Sequence, residues 1–263
     1  FMEPSSSTPN APDKLTWWCK ANGHKNDPKR CRLFKVPEFH CKCGCGEEFK
    51  DDFEFCMDDI KANGHGLFGV PLNQGMTDEC VAYAYAKQLE VPRRVKELLQ
   101  ERDPYSVPEM DHIDLVEKYK KLMKEGQEHK ENGLSKVFHM YMIIKEQGMQ
   151  SLDMGTLYKV SEVSTIMQDD YELISTTLAD GGILRGKNLE KVKYCTAYKP
   201  PPYTRFLEKD GVPETHAVLL VGAGRKQGKW YFFAQLLEEF CCQYSPLGVK
   251  LRDGNGKVRA PFV

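Results

Sequence analysis

The sequence predicts an α+β protein built from a small Cys/His-rich N-terminal region, a helical lobe and a β-rich lobe, as one large domain or as two lobes around a cleft. Three observations carry this expectation. Helical periodicity dominates from about Glu79 to Gly148, strand texture replaces it after Leu157, and six of the ten cysteines fall between Cys19 and Cys56. At 263 residues the chain is long enough to bury a full core.

Residues 1–13 read as a polar, disordered leader, and residues 14–62 as the Cys/His-rich region. Residues 63–156 form the helical lobe. There "NGHGLFGVPLNQG" is a glycine-punctuated connector into a helix that starts near Glu79 and that Pro92 is expected to end. Two further helices are predicted. "HIDLVEKYKKLMKEGQ" aligns Ile113, Val116, Tyr119 and Met123, and "LSKVFHMYMIIKEQG" aligns Leu134, Val137, Phe138, Tyr141 and Ile144 before a stop at Gly148. Residues 157–263 form the β-rich lobe. "LYKVSEVSTI" alternates like a strand, "DDYELISTTLADGG" reads as a short helix with a glycine stop, and "THAVLLVGAG" and "KWYFFAQLL" are strong strands.

Charge and hydropathy narrow the function classes. The 37 basic and 38 acidic side chains leave a net charge of -1, so no global field draws the chain to nucleic acid or anionic lipid, and nucleic acid is not an expected partner. Trp17 and Trp18, interleaved with basic residues from Lys20 to Lys35, admit a nucleic-acid surface; packing and solvating a small lobe is the commoner use of such residues. No apolar run reaches about 18 residues, so no membrane partner is expected. "KPPPY", Lys199 to Tyr203, reads as a stiff loop or a polyproline ligand.

The N-terminal cysteines have two readings. Cys19, His24 and Cys31 with Cys41, Cys43 and Cys45 of "HCKCGCG" could ligate a structural zinc ion. The C-x-C alternation departs from the usual C-x2-C knuckle, and local disulfides fit the same spacing. Clustering, rather than even spread, points to a mostly reduced chain in the cytoplasm or nucleus, with secretion left open should a signal or pro-segment have been trimmed.

Chemistry concentrates elsewhere. Cys80 follows a glycine turn and begins an alanine-rich helical pattern, where the helix dipole favours a thiolate. A hairpin between the two strong strands, turning near Arg225 or Lys226, brings the start of the first strand opposite the end of the second and so His216 near Gln235. The Gln235 amide would fix the imidazole tautomer and leave the other ring nitrogen to take the thiol proton. Gln74, six residues before Cys80, could share an oxyanion hole with the Cys80 N–H.

Asn73-Gln74-Gly75 with Cys80, followed 136 positions later by "THAVLLVGAG", resembles the papain-like cysteine peptidases, with their Q-G-x-C-G-S-C-W and N-H-A-V-x-x-V-G-Y-G segments. The resemblance runs from about residue 66 to 240. It implies a two-lobe fold with a helical left lobe and a β-barrel-like right lobe, Cys80 as nucleophile, His216 as base and acid, Gln74 as oxyanion donor and Gln235 in the place of the orienting asparagine. A peptide or protein is then the substrate, no cofactor serves catalysis, and any zinc is structural. Several positions depart from the family. Thr77-Asp78-Glu79 stands where the family has Cys-Gly-Ser, Val81 replaces tryptophan, and Leu236-Leu237 replaces Ser-Trp. These departures keep two alternatives in view: a catalytically degenerate papain-fold module that binds a protein partner, and a papain-fold acyltransferase or non-peptide hydrolase.

Overall fold

The structure, a computed structural model, describes residues 14–69, 80–124, 133–161, 166–167, 169–182, 184–186, 218–235, 240–245, 248–253 and 258–259. The leader 1–13, Gln74, Thr77 to Glu79, the Lys199 to Tyr203 stretch, His216 and Leu236-Leu237 lie outside the described residues.

The N-terminal region is built from two-residue strands closed by tight turns. β1 (Trp17–Trp18) pairs with β2 (Lys25–Asn26), and β3 (Lys29–Arg30) with β4 (Lys35–Val36), both antiparallel. Such short ladders have little stability alone, and the region is tied to the rest of the chain in several ways. The Leu33 and Phe34 N–H groups donate to the Ala179 carbonyl, Arg32 Nε reaches Asp180 Oδ2 at 3.2 Å, and His40 Nε2 meets Glu172 Oε1 at 2.8 Å. β5 (Phe53–Cys56) then leaves the region to join the principal sheet. β6 (Lys61–Ala62) and β7 (His65–Gly66) form a small hairpin before the first helix.

Helix α1 spans Cys80–Leu99, and Pro92 lies inside it rather than at its end. The expected stop is overridden by side chains on both sides of the proline. Glu90 Oε1 binds Lys87 Nζ at 2.8 Å in the preceding turn and Arg94 Nη2 at 2.8 Å in the following one. Val91 and Val95 are buried beside it, so packing sustains the helix past the lost N–H. Helix α2 (His112–Lys124) starts at Asp111, whose Oδ1 accepts the Ile113 N–H at 2.9 Å. Its buried face carries Leu115 and Val116, whereas Ile113 is 52% exposed. Helix α3 (Gly133–Glu146) likewise buries Met140, Ile143 and Ile144 and leaves Phe138 58% exposed. In both helices the predicted stripe holds in part: Val116 and Tyr119 of α2 and Val137, Tyr141 and Ile144 of α3 pack on the core, while Ile113 and Phe138 turn to solvent because neighbouring elements select which apolar residues face inward. Gly148, at φ +87°, closes α3 as expected, with its N–H donating to Ile143 O.

β8 (Met149–Gln150) pairs with β9 (Leu157–Tyr158), which is all of the predicted "LYKVSEVSTI" strand that forms among the described residues. Helix α4 (Tyr171–Ala179) is capped by Asp170, which accepts the Leu173 N–H, and stops at Gly181. The principal sheet follows: β10 (Leu184–Gly186), β11 (Val218–Lys226), β12 (Lys229–Gln235), β13 (Phe240–Ser245), β14 (Gly248–Asp253) and β15 (Val258–Arg259), adjacent in that order, with β5 also on β11. The β11–β12 turn falls at Gln227-Gly228, both at positive φ, slightly beyond the predicted centre. Leu219 stands opposite Gln235.

The core joins all regions. Phe49, Met57, Leu67 and Phe68 from the first 69 residues are buried together with α1, Ile144, Leu178, Leu219 and Phe233. Among the described residues no helix is long and apolar enough to cross a membrane.

Candidate functional site

The best-defined constellation is a group of four thiols. Cys19 follows β1 directly, and Cys41, Cys43 and Cys45 come from the loop after β4. All four Sγ atoms lie within 4.8 Å of one another, with Cys41 to Cys43 at 3.0 Å, Cys19 to Cys45 at 3.4 Å and Cys19 to Cys43 at 3.8 Å. These separations exceed a disulfide bond. They bracket the edge of about 3.8 Å that four Zn–S bonds of about 2.3 Å impose on a tetrahedron. No disulfide joins Cys19, Cys41, Cys43 and Cys45.

Local backbone explains how the C-x-C-x-C run folds inward. Gly44 and Gly46 adopt φ of +75° and +82°, letting the chain reverse between successive thiols. The Gly44 N–H donates to Cys41 O, the Cys41 N–H to Glu47 O, and the Cys19 N–H to His24 O. Further N–H groups point at sulfur: Asn22 Nδ2 at 3.3 Å from Cys43, Glu47 N at 3.4 Å from Cys45 and Asn26 Nδ2 at 3.5 Å from Cys41. Donors of this kind stabilise thiolates and orient ligands.

The thiols differ electrostatically. Burial pushes Cys19 up to about 12, against the opposing pull of the Asn22 backbone N–H. Hydrogen bonds from Cys41 and then Asn22 bring Cys43 down to about 6. The hydrogen bonds thus make Cys43 easier to ionise than buried Cys19. Four of the six residues predicted as ligands converge. His24 is exposed in the turn between β1 and β2, and Cys31 sits by Asp180, where burial and then that carboxylate raise its pKa; neither belongs to the group. Asn22, Asn26 and Glu47, which support the sulfurs, carry no sequence signal. Their roles come from the loop crossing that sets them beside the cysteines.

The predicted thiol site is described in part. Cys80 is the first residue of α1, α1 packs against β11, and Gln235 ends β12 opposite Leu219. Gln74 and His216 lie outside the described residues. The chain leading towards Gln74 is anchored on α1: Lys87 Nζ donates to Phe68 O at 3.0 Å and Arg94 Nη1 to Leu67 O at 2.9 Å. Lys87, Glu90 and Arg94 are almost fully buried, a network that the helical pattern alone did not reveal.

The chain matches no protein-family model and no curated protein.

Proposed function

We propose that the protein is a papain-like thiol hydrolase that cleaves a peptide or related acyl substrate. The observation that carries this reading is the order and spacing of Gln74, Cys80, His216 and Gln235, with Cys80 as the N-terminal residue of α1. His216 takes the Cys80 proton, and the thiolate adds to the substrate carbonyl while Gln74 and the Cys80 N–H hold the oxyanion. The imidazolium returns the proton to the leaving amine. Water, deprotonated by His216, then releases the acid and regenerates the thiol. Packing of α1 against β11 supports the arrangement, and the β11–β12 register sets Gln235 opposite Leu219, three positions along the chain from His216.

The test is selective alkylation of the native chain at mildly acidic pH, read by intact mass and peptide mapping. Rapid modification of Cys80 that disappears in His216→Ala is the expected result. Labelling no faster than that of an ordinary thiol removes the hydrolase reading and leaves a papain-fold binding module.

A second reading concerns the N-terminal cluster. Cys19, Cys41, Cys43 and Cys45 fit a zinc ion by donor type and spacing, and such an S4 ion closes its coordination sphere and serves structure. It takes no part in the chemistry at Cys80.

A further inference from the structure

The near-neutral charge of the whole chain hides a strong local imbalance. From Lys14 to Lys42 there are eight lysines and arginines against two acidic residues, Asp27 and Glu38. The two adjacent tryptophans of this stretch have opposite fates. Trp17 is buried and donates its Nε1–H to Glu38 O at 2.7 Å, whereas Trp18 is 62% exposed, on the opposite face of β1. Lys25 stands directly across the ladder from Trp18.

The exposed indole borders a groove of about 500 Å³ that also takes in Lys25, Asp27, Pro28, Arg30 and Lys35. Arg30 and Lys35 are cross-strand partners in the β3–β4 ladder. The pairing sets two cationic side chains next to each other on this face, within reach of a single phosphate. The groove's one carboxylate, Asp27, is held by Lys25 at 2.8 Å. An aromatic face beside paired cations is the combination that binds a base and its phosphate together.

We propose that this face binds single-stranded nucleic acid, one base stacking on Trp18 and the adjoining phosphate lying between Arg30 and Lys35. A duplex keeps its bases stacked on one another and offers the protruding indole no partner, so an unpaired strand is favoured. An acidic peptide satisfies the cations and leaves the indole without a flat group to stack on. Cys19, next to Trp18, belongs to the thiol cluster, which fixes the strand that presents the indole. The proposal is independent of the chemistry at Cys80.

The experiment titrates the full chain into fluorescein-labelled oligouridylate and oligothymidylate of about 12 nucleotides and follows anisotropy at low and moderate salt. Saturable binding is expected, weakened about 10-fold by Trp18→Ala and retained in large part by Trp18→Phe. Arg30→Glu combined with Lys35→Glu is expected to weaken binding and flatten its salt dependence, while Lys120→Glu on α2 changes neither. Near-ultraviolet circular dichroism of Trp18→Phe verifies the fold. Absence of binding to both strands overturns the proposal. So does an equal loss in Lys120→Glu, or competition by a duplex or by polyglutamate as effective as that by the unlabelled strand.

Discussion

Gly222 and Gly224 lie in the "VGAG" segment of β11, and their surroundings explain why each lacks a side chain. A Cβ on Gly222 would stand 2.8 Å from the Cα of Cys56, because β5 crosses β11 at that point, where the β11–β12 register also shifts. Backbone there has nowhere to retreat. A Cβ on Gly224 would meet the Tyr231 ring, whose hydroxyl donates to Glu54 Oε2 at 2.7 Å. Gly222→Ala is therefore expected to lower stability by about 1–3 kcal/mol, read as a drop in the urea midpoint. An unchanged midpoint would show that β5 does not approach β11 so closely. The two tryptophans give a matching case. Sequence placed them together on a small basic lobe, and only the pleat of β1 and the packing beneath it separate the buried Trp17 from the exposed Trp18.

Helix α1 connects the predicted nucleophile with the chain that precedes it. Cys80 begins the helix, Pro92 lies within it, and Glu90 links the turns before and after the proline through Lys87 and Arg94. The same two cations hold the carbonyls of Phe68 and Leu67, so the network secures the connector to the helix. Replacing Glu90 alone removes the carboxylate nearest both buried cations and leaves Arg94 with the more distant Glu109, at 3.8 Å. Glu90→Ala is expected to cost about 3–5 kcal/mol in chemical denaturation, whereas the triple change Lys87→Met, Glu90→Leu, Arg94→Met recovers much of that loss. Equal stability of Glu90→Ala and the native chain would contradict the network. The helix itself was legible because its alanines and aromatics recur with helical spacing. Its continuation through Pro92 was not, since that depends on ion pairs whose members must first be buried together.

The N-terminal region is joined to the rest through β5, which covers the part of the β11 edge left by β10. Phe49, Phe53 and Phe55 enter the common core from this region. Its own ladders are two residues long, so a metal ion at the four cysteines would supply much of their order. Elemental mass analysis is expected to find one zinc per chain, and chelation to lower Tm. The mutants Cys41→Ser and Cys43→Ser should mimic chelation. Because β5 shares the sheet with β11, loss of the ion should shift the main melting transition rather than produce a separate one. A chain that holds no zinc, or whose Tm ignores chelator, would refute the structural-zinc reading.

Helical and strand periodicities, the glycine stops at Gly148 and Gly181 and the crowding of cysteines into one region were readable in the sequence, since each is a property of neighbouring residues. Folding selected Cys19, Cys41, Cys43 and Cys45 from six candidate ligands, turned Ile113 and Phe138 to solvent, inserted β5 beside β11 and gathered scattered cations beside Trp18. These outcomes depend on contacts between residues far apart in the chain. Local propensity sets which elements form, and the competition among their faces for a single core sets which side chains meet.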